Sequence, residues 1–281
     1  MPPVEPIEDV RLCSEPGAVA ERPPKVRVCG IGFDTLTEAQ VVEHIMLAIK
    51  LGQGGYIVTP NIDICRAAAR DGTQRELIAG ASLTVPDGMP LLWAARIAGY
   101  PLKERVTGSS LIFSLTEAAA RLDRSIYLLG GKPGVPETAG ELLRQSYPGL
   151  VVAGADSPPL GFDQTPDAID ALQRRIAAAA PDIVYVGLGF PKQERLIVRL
   201  AEAFPAMWFV GCGAAIPYAA GVFPRAPRWM QQAGLEWVYR LRSEPRRLFQ
   251  RYIIHDLPFA AWLLASCALT RVRQATVGTR T

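Results

Sequence analysis

Histidine is nearly absent from this chain: His44 and His255 are the only two in 281 residues. The five cysteines, Cys13, Cys29, Cys65, Cys212 and Cys267, stand far apart, and none sits in a CxxC pair. So few imidazoles and no paired thiols argue against a zinc site. An odd, scattered set fits reduced thiols in a cytoplasm, mostly serving as small core residues. No Asp-x-Asp is present to hold a divalent cation, and no Gly-x-Ser-x-Gly elbow to present a serine nucleophile. Long apolar runs are also missing. The longest, Leu257–Leu269, has 13 residues, whereas a membrane-spanning helix needs about 20. The N-terminus, MPPVEPIEDVRLC, lacks a basic segment followed by an apolar one and does not read as a signal peptide.

What is present suits a soluble-type folded chain, not a disordered or fibrous one. Hydrophobic residues make up 49% of the chain and charged residues 20%, which supplies a core for one large α/β domain plus an appendage, or for two small domains. The net charge of +3 hides an asymmetry. From residue 221 onward ten arginines face three acids, so that segment carries +7 and the rest −4. A basic tail on a mildly acidic body points to an anionic partner: nucleic acid, phosphates or an acidic membrane surface. Charge alone fits a solvated basic surface equally well.

Residues 1–24, rich in proline and acids, read as a flexible leader. From there to 221, strands and helices alternate. Strands are expected at 25–31, 54–60, 82–88, 125–131, 150–154, 182–189 and 207–213. Helices are expected from Thr37 (a good cap), after 63, and at 89–98, 135–146, 167–180 and 191–203. Such alternation predicts a mostly parallel sheet with helices on both faces, and ligands gather at the carboxyl ends of its strands. Residues 222–270 read as short helices forming an appendage, and 271–281 as a flexible tail. Leu248, Phe249, Tyr252 and Ile253 lie at helical spacing beside Arg246, Arg247 and Arg251. A basic amphipathic helix of this kind either lies in a membrane interface or packs on the body.

Four polar segments fall at expected strand ends: Thr59–Asp63 (TPNID), Pro86–Gly88 (PDG), Gly130–Gly134 (GGKPG) and Gly187–Glu194 (GLGFPKQE). Their shared placement predicts one crevice. Asp87, before a glycine, could serve as a general base, but by pattern it reads more readily as a turn acid. The Gly130–Gly134 loop could offer backbone N–H groups to a phosphate, or merely link strand to helix. It is not a Walker loop, because Lys132 is not followed by Ser or Thr. GCGAAI at 211–216 lacks the third glycine of a dinucleotide fingerprint. Taken alone, the residues lead to an α/β enzyme with an anionic ligand.

The same segments, in order, resemble one family. TPNID (59–63), VPDGMPLLWAAR (85–96), PLKERVTGSSL (101–111), YLLGGKPGV (127–135), YPGL (147–150), VGLGFPKQE (186–194), FPRAP (223–227), GLEWVYRL (234–241) and SEPRR (243–247) are similar to the WecG/TagA/CpsF glycosyltransferases. The likeness covers roughly residues 26–262. It implies a Rossmann-like α/β domain with a C-terminal membrane-docking appendage. The implied reaction is inverting and metal-independent, with no cofactor. A sugar passes from a UDP-sugar to a polyprenyl-pyrophosphate-linked acceptor sugar, in building teichoic acid, common antigen or exopolysaccharide. The implied location is the cytoplasm, peripheral on the inner face of the cell membrane, against an anionic surface, with self-association and without nucleic acid.

By the same resemblance Asp87 is the expected base, with Thr59 and Asn61 lining its pocket. Asp63, Arg105, Gly130, Gly131, Gly189, Lys192, Gln193 and Glu194 are expected at the substrates. Arg240 and Arg247, with Arg225 and Arg251 behind them, are expected to meet the pyrophosphate, since the guanidinium fork suits phosphate oxygens. One departure stands out: Ile216-Pro217 occupy the place where Phe-Asp is usual, which leaves donor identity and oligomer contacts open. The chief rival is a non-catalytic sugar-nucleotide or lipid-binding protein on the same fold. A nicotinamide oxidoreductase lacks its fingerprint, and a nucleic-acid binder lacks a recognisable module.

Overall fold

The computed structural model describes residues 4–7, 24–224 and 226–278. Its centre is a six-stranded sheet built from β4 (Gly55–Val58), β5 (Leu83–Thr84), β6 (Ser125–Gly130), β7 (Val151–Asp156), β8 (Ile183–Gly187) and β9 (Trp208–Gly211). The spatial order is β5-β4-β9-β8-β6-β7, and every pairing is parallel. Strands such as SIYLLG and IVYVG are apolar throughout because both faces are covered.

Alternate side chains feed two cores. Tyr56, Val58, Val184, Val186 and Phe209 point to one, together with α2 (Ile62–Arg70), α3 (Gly72–Ala79), α4 (Met89–Ala98), α7 (Pro166–Ala179) and α8 (Lys192–Ala203). Ile57, Ile183, Tyr185, Trp208 and Val210 point to the other, with α1 (Glu38–Lys50), α5 (Gly108–Arg121), α6 (Val135–Ser146) and α9 (Ala215–Ala219). The helices therefore lie on both faces, as expected. Thr37 caps α1 in a reciprocal box with Gln40, a device worth about 1 kcal/mol.

The first expected strand is in fact a hairpin. Within 25–31, Cys29 and Gly30 take φ values of 54° and 79°. Two consecutive positive φ angles turn the chain back on itself, so β2 (Lys25–Val28) pairs antiparallel with β3 (Ile31–Asp34). Val4–Ile7, inside the segment read as a leader, adds strand β1 on the far side of β2. Buried Asp34 ties the hairpin to the main sheet, accepting 2.7 Å from the Thr84 amide and pairing with Lys25 at 3.3 Å.

Beyond the sheet follow α10 (Arg228–Gln232), α11 (Glu236–Ser243), α12 (Pro245–Phe249), a π-helical turn at Gln250–Asp256, and α13 (Leu257–Gly278). Helix α13 runs past residue 270, where the appendage was expected to end. Continuous helix from Gln250 through Val272 is 23 residues, long and apolar enough by length and composition to cross a membrane. Counting only the apolar run misses this, because the helix continues through the polar Gln250–Asp256 turn. Yet α13 also packs on α4, burying Ala260, Leu263 and Cys267.

Candidate active site

Three backbone segments lie side by side at the carboxyl ends of β4 and β5. The Asp87 amide donates to the Pro60 carbonyl (3.0 Å), which joins the PDG turn to the TPN turn. The Val106 amide donates to the Pro86 carbonyl (3.0 Å), which lays the KERV segment alongside. These two bonds put Arg105 next to Asp87, with Arg105 Nη1 4.0 Å from Asp87 Oδ1.

The appendage completes this corner. Arg105 Nη1 is also 3.6 Å from Glu236 Oε2, and its Nη2 donates 2.8 Å to the Gln231 carbonyl. Gly234 (φ 72°) sits so close to Met89 that a Cβ there would lie 2.1 Å from Met89 Cγ. Glycine alone lets the α10–α11 turn press onto the start of α4, two residues beyond Asp87. The Arg240 guanidinium lies over the Tyr218 ring at 5.9 Å, and its buried Nε has no hydrogen-bond partner among the described residues.

Burial raises the Asp87 carboxyl to about 6. Glu236 reinforces that rise, while the Arg105, Arg240 and Arg251 charges oppose it. Its side chain nonetheless keeps 29% exposure, so it is set deep among protein atoms but reachable. A carboxylate of this kind is ionised at neutral pH and basic enough to take a hydroxyl proton.

Other expected site residues have more local duties. Thr59 is buried at the end of β4. Asn61 caps α2, its Oδ1 accepting from the Ile64 amide at 3.1 Å. Asp63 belongs to a four-charge cluster with Arg66, Arg251 and Asp256. Arg66 bonds Asp63 directly and reaches Asp256 at 3.3 Å. Arg251 Nε is 2.9 Å from Asp63 and 3.7 Å from Asp256. Two acids and two arginines thus clasp the π-helical turn to α2, and Arg251 spends its charge there. Arg247 lies on α12 with its side chain outside the described set, and Arg225 is outside the described residues.

Gln193 and Glu194 are almost wholly buried in the first turn of α8. Gln193 Oε1 accepts from the Gly213 amide and its Nε2 donates to Glu194 Oε1, both at 2.9 Å. Gln193 therefore braces the turn after β9. Burial pushes Glu194 up to about 7. Lys192 pairs with Asp163 at 2.7 Å and stacks over Phe162.

Gly130 and Gly131 end β6, and Gly189 follows β8. Here the chain leaves β6 through α6 on one face and β8 through α8 on the other. Diverging connections open a crevice at this switch point. Gly130 lines it by necessity, because a Cβ would lie 2.5 Å from the Gly187 carbonyl oxygen. Four strand spacings separate β6 from β5, on the order of 20 Å, so the glycine loop and Asp87 stand at opposite ends of one sheet edge. Glu236, Arg66 and Asp256 are not singled out by the sequence, because the Arg105–Glu236 and Arg66–Asp256 pairs each join residues more than a hundred positions apart.

An α/β fold with a carboxylate and arginines at its strand ends fits a group-transfer enzyme, and comparison with known proteins specifies the kind. The model of the Glycosyl transferase WecG/TagA/CpsF family matches residues 26–274. Two curated relatives, from Staphylococcus aureus strains MW2 and NCTC 8325 / PS 47, are each 31% identical over 226 residues, spanning 80% of this chain and 87% of the relative. Both are N-acetylglucosaminyldiphosphoundecaprenol N-acetyl-beta-D-mannosaminyltransferases. The chain is a glycosyltransferase. It belongs to the WecG/TagA/CpsF family.

Proposed function

We propose that this enzyme transfers a sugar from a UDP-sugar to a hydroxyl of a polyprenyl-pyrophosphate-linked sugar, with inversion and without a metal, at the inner face of the cell membrane. The observation that carries the reading is the Asp87 carboxyl, raised to about 6 and flanked by Arg105 and Arg240 beneath the appendage. The relatives' acceptor, an N-acetylglucosaminyl diphosphoundecaprenol, supports the lipid-linked substrate.

Asp87 takes the proton of the acceptor hydroxyl as that oxygen attacks the anomeric carbon from the face opposite UDP. The bond to the UDP oxygen breaks, and its negative charge needs cations or backbone N–H donors. Arg240, whose charge is felt at Asp87, is suited to that task. Thr59, Asn61 and Asp63 line the acceptor side, with Gln193 bracing the floor.

Helix α13 supports membrane docking. Opposite its buried Ala260, Leu263 and Cys267, it exposes Leu257, Trp262, Leu269 and Val272. No charged side chain interrupts residues 257–270. A helix apolar on both its packed and its open face gains from burying the open face in lipid, next to the layer that holds the acceptor.

The test is a transfer assay with EDTA present, a short-chain polyprenyl-pyrophosphate sugar and a panel of UDP-sugars including UDP-N-acetylmannosamine. UDP release should require both substrates. Asp87→Asn should lower kcat by about 10²- to 10⁴-fold, the usual worth of a general base. Turnover unaffected by Asp87→Asn would remove Asp87 from the mechanism. Turnover abolished by EDTA would remove metal independence.

A further inference from the structure

Arg105 is shared. Its guanidinium stands between Asp87 (4.0 Å) and Glu236 (3.6 Å), and the Gln231 carbonyl holds its other nitrogen at 2.8 Å. Two of those three partners come from the appendage, and both lie closer than Asp87. Glu236 is only 12% exposed and Arg105 18%, so neither is free to swing into solvent.

The sharing has a consequence for the corner. An arginine and a carboxylate with no competitor close to contact distance and form a tight fork. A carboxylate held that way accepts protons poorly, since the adjacent cation favours its ionised form. Its oxygens would also be occupied, leaving none to face an incoming hydroxyl. Glu236, at 3.6 Å, competes with Asp87 for the same guanidinium nitrogen from the appendage side. Position matters here, because Gly234 alone permits the turn that delivers the start of α11 to this spot.

We propose that Glu236 is a positioning residue, which holds Arg105 off Asp87 so that the Asp87 carboxylate stays open and basic toward the acceptor hydroxyl. The inference rests on the reading of Asp87 as the base. It gives the appendage a second task besides supplying cations: docking it assembles the base. The charged groups facing Asp87 are Arg105 from the KERV segment, Glu236 and Arg240 from α11, and Arg251 from the π-helical turn. Tyr218 also feels Glu236 and Arg240. Of these only Glu236 is an acid, so its loss moves the balance one way.

The experiment compares wild-type full-length enzyme with Glu236→Gln, Glu236→Asp and Asp87→Asn, in detergent with the lipid acceptor, across pH 5 to 9. Rate requires ionised Asp87, so the acidic limb of kcat/KM reports its proton affinity. In Glu236→Gln the limb should move to lower pH by about one unit, as a like charge is lost and Arg105 closes in. The plateau kcat should fall about tenfold, because the base is weaker and covered, while the donor KM stays within about twofold. Glu236→Asp should restore the limb in part, since it keeps the charge on a shorter arm. A purely structural Glu236 would lower the melting temperature of both variants and leave the limb in place, which overturns the proposal. If Asp87→Asn is itself active, the base assignment fails. If Asp87→Asn is inactive and the limb is unmoved in both Glu236 variants, only the positioning role fails.

Discussion

Replacing Glu194 with glutamine should stabilise this enzyme by an amount that grows from about pH 4.5 and levels off just above neutrality. Glu194 is 1% exposed, in the first turn of α8. Gln193 Nε2 donates to Oε1 at 2.9 Å, and Oε2 has no hydrogen-bond partner among the described residues. A charge so poorly solvated is costly, and burial raises the group from its ordinary 4.5 to about 7. An acid whose pKa rises on folding favours the folded chain at low pH, where it holds its proton. That contribution is lost as pH climbs from about 4.5 through about 7. With both states ionised the loss amounts to about 3 kcal/mol. Glutamine is always neutral and keeps a carbonyl for Gln193. It should therefore nearly match wild type at pH 4 and exceed it by about 3 kcal/mol at pH 8.5. For a chain of this size that corresponds to roughly 6–12 °C in Tm at pH 8.5. Thermal melts of both proteins across that range give the difference directly, since every other titrating group cancels. A difference that does not vary with pH would show that Glu194 is not held neutral by burial. The same variant asks whether an ionised Glu194 is needed at the donor, as activity retained at pH 7.5 would exclude that.

Two further perturbations address the appendage. Gly234→Ala should force the α10–α11 turn off Met89, since the new Cβ would stand 2.1 Å from Met89 Cγ and φ is 72°. Transfer should drop about 10²-fold through misplaced Glu236 and Arg240. Adding Met89→Ala should recover part of it, and no recovery would refute the contact. Trp262→Asp and Leu269→Asp change side chains that are 57% and 62% exposed. Each should weaken cosedimentation with anionic vesicles about tenfold or more while leaving the melting temperature alone. Unchanged partitioning would mean that α13 does not meet the lipid.

Much of the site's parts list was legible in the order of residues. PDG after the apolar SLTV, TPNID after GYIV, and GLGFPKQE after DIVYV all fell where strands end. A parallel sheet turns such segments toward one edge whatever the loops do. The hairpin at Cys29–Gly30 was not legible as a turn, because a cysteine at positive φ is uncommon and KVRVCGIGFD reads as a single extended run. Helix α5 went unassigned, although Thr107 caps it with Ser110 in the same reciprocal way that Thr37 caps α1.

The sequence by itself determined the alternation of strands and helices, the cap that starts α1, the glycines at the crevice and the charge of the tail. Those features are local: propensity, period and turn chemistry act over a few residues. Only the tertiary structure decided which charges are spent and which remain for substrate. Arg251 lies 188 positions from Asp63 in the chain, and they meet at 2.9 Å. Arg105 meets Gln231 and Glu236 across a similar gap. An ion pair depends on distance in space, and burial, with the charges packed nearby, decides whether Asp87 and Glu194 are ordinary carboxylates or proton carriers near neutrality. Neither distance nor burial is written in the order of residues until the sheet and the appendage have packed.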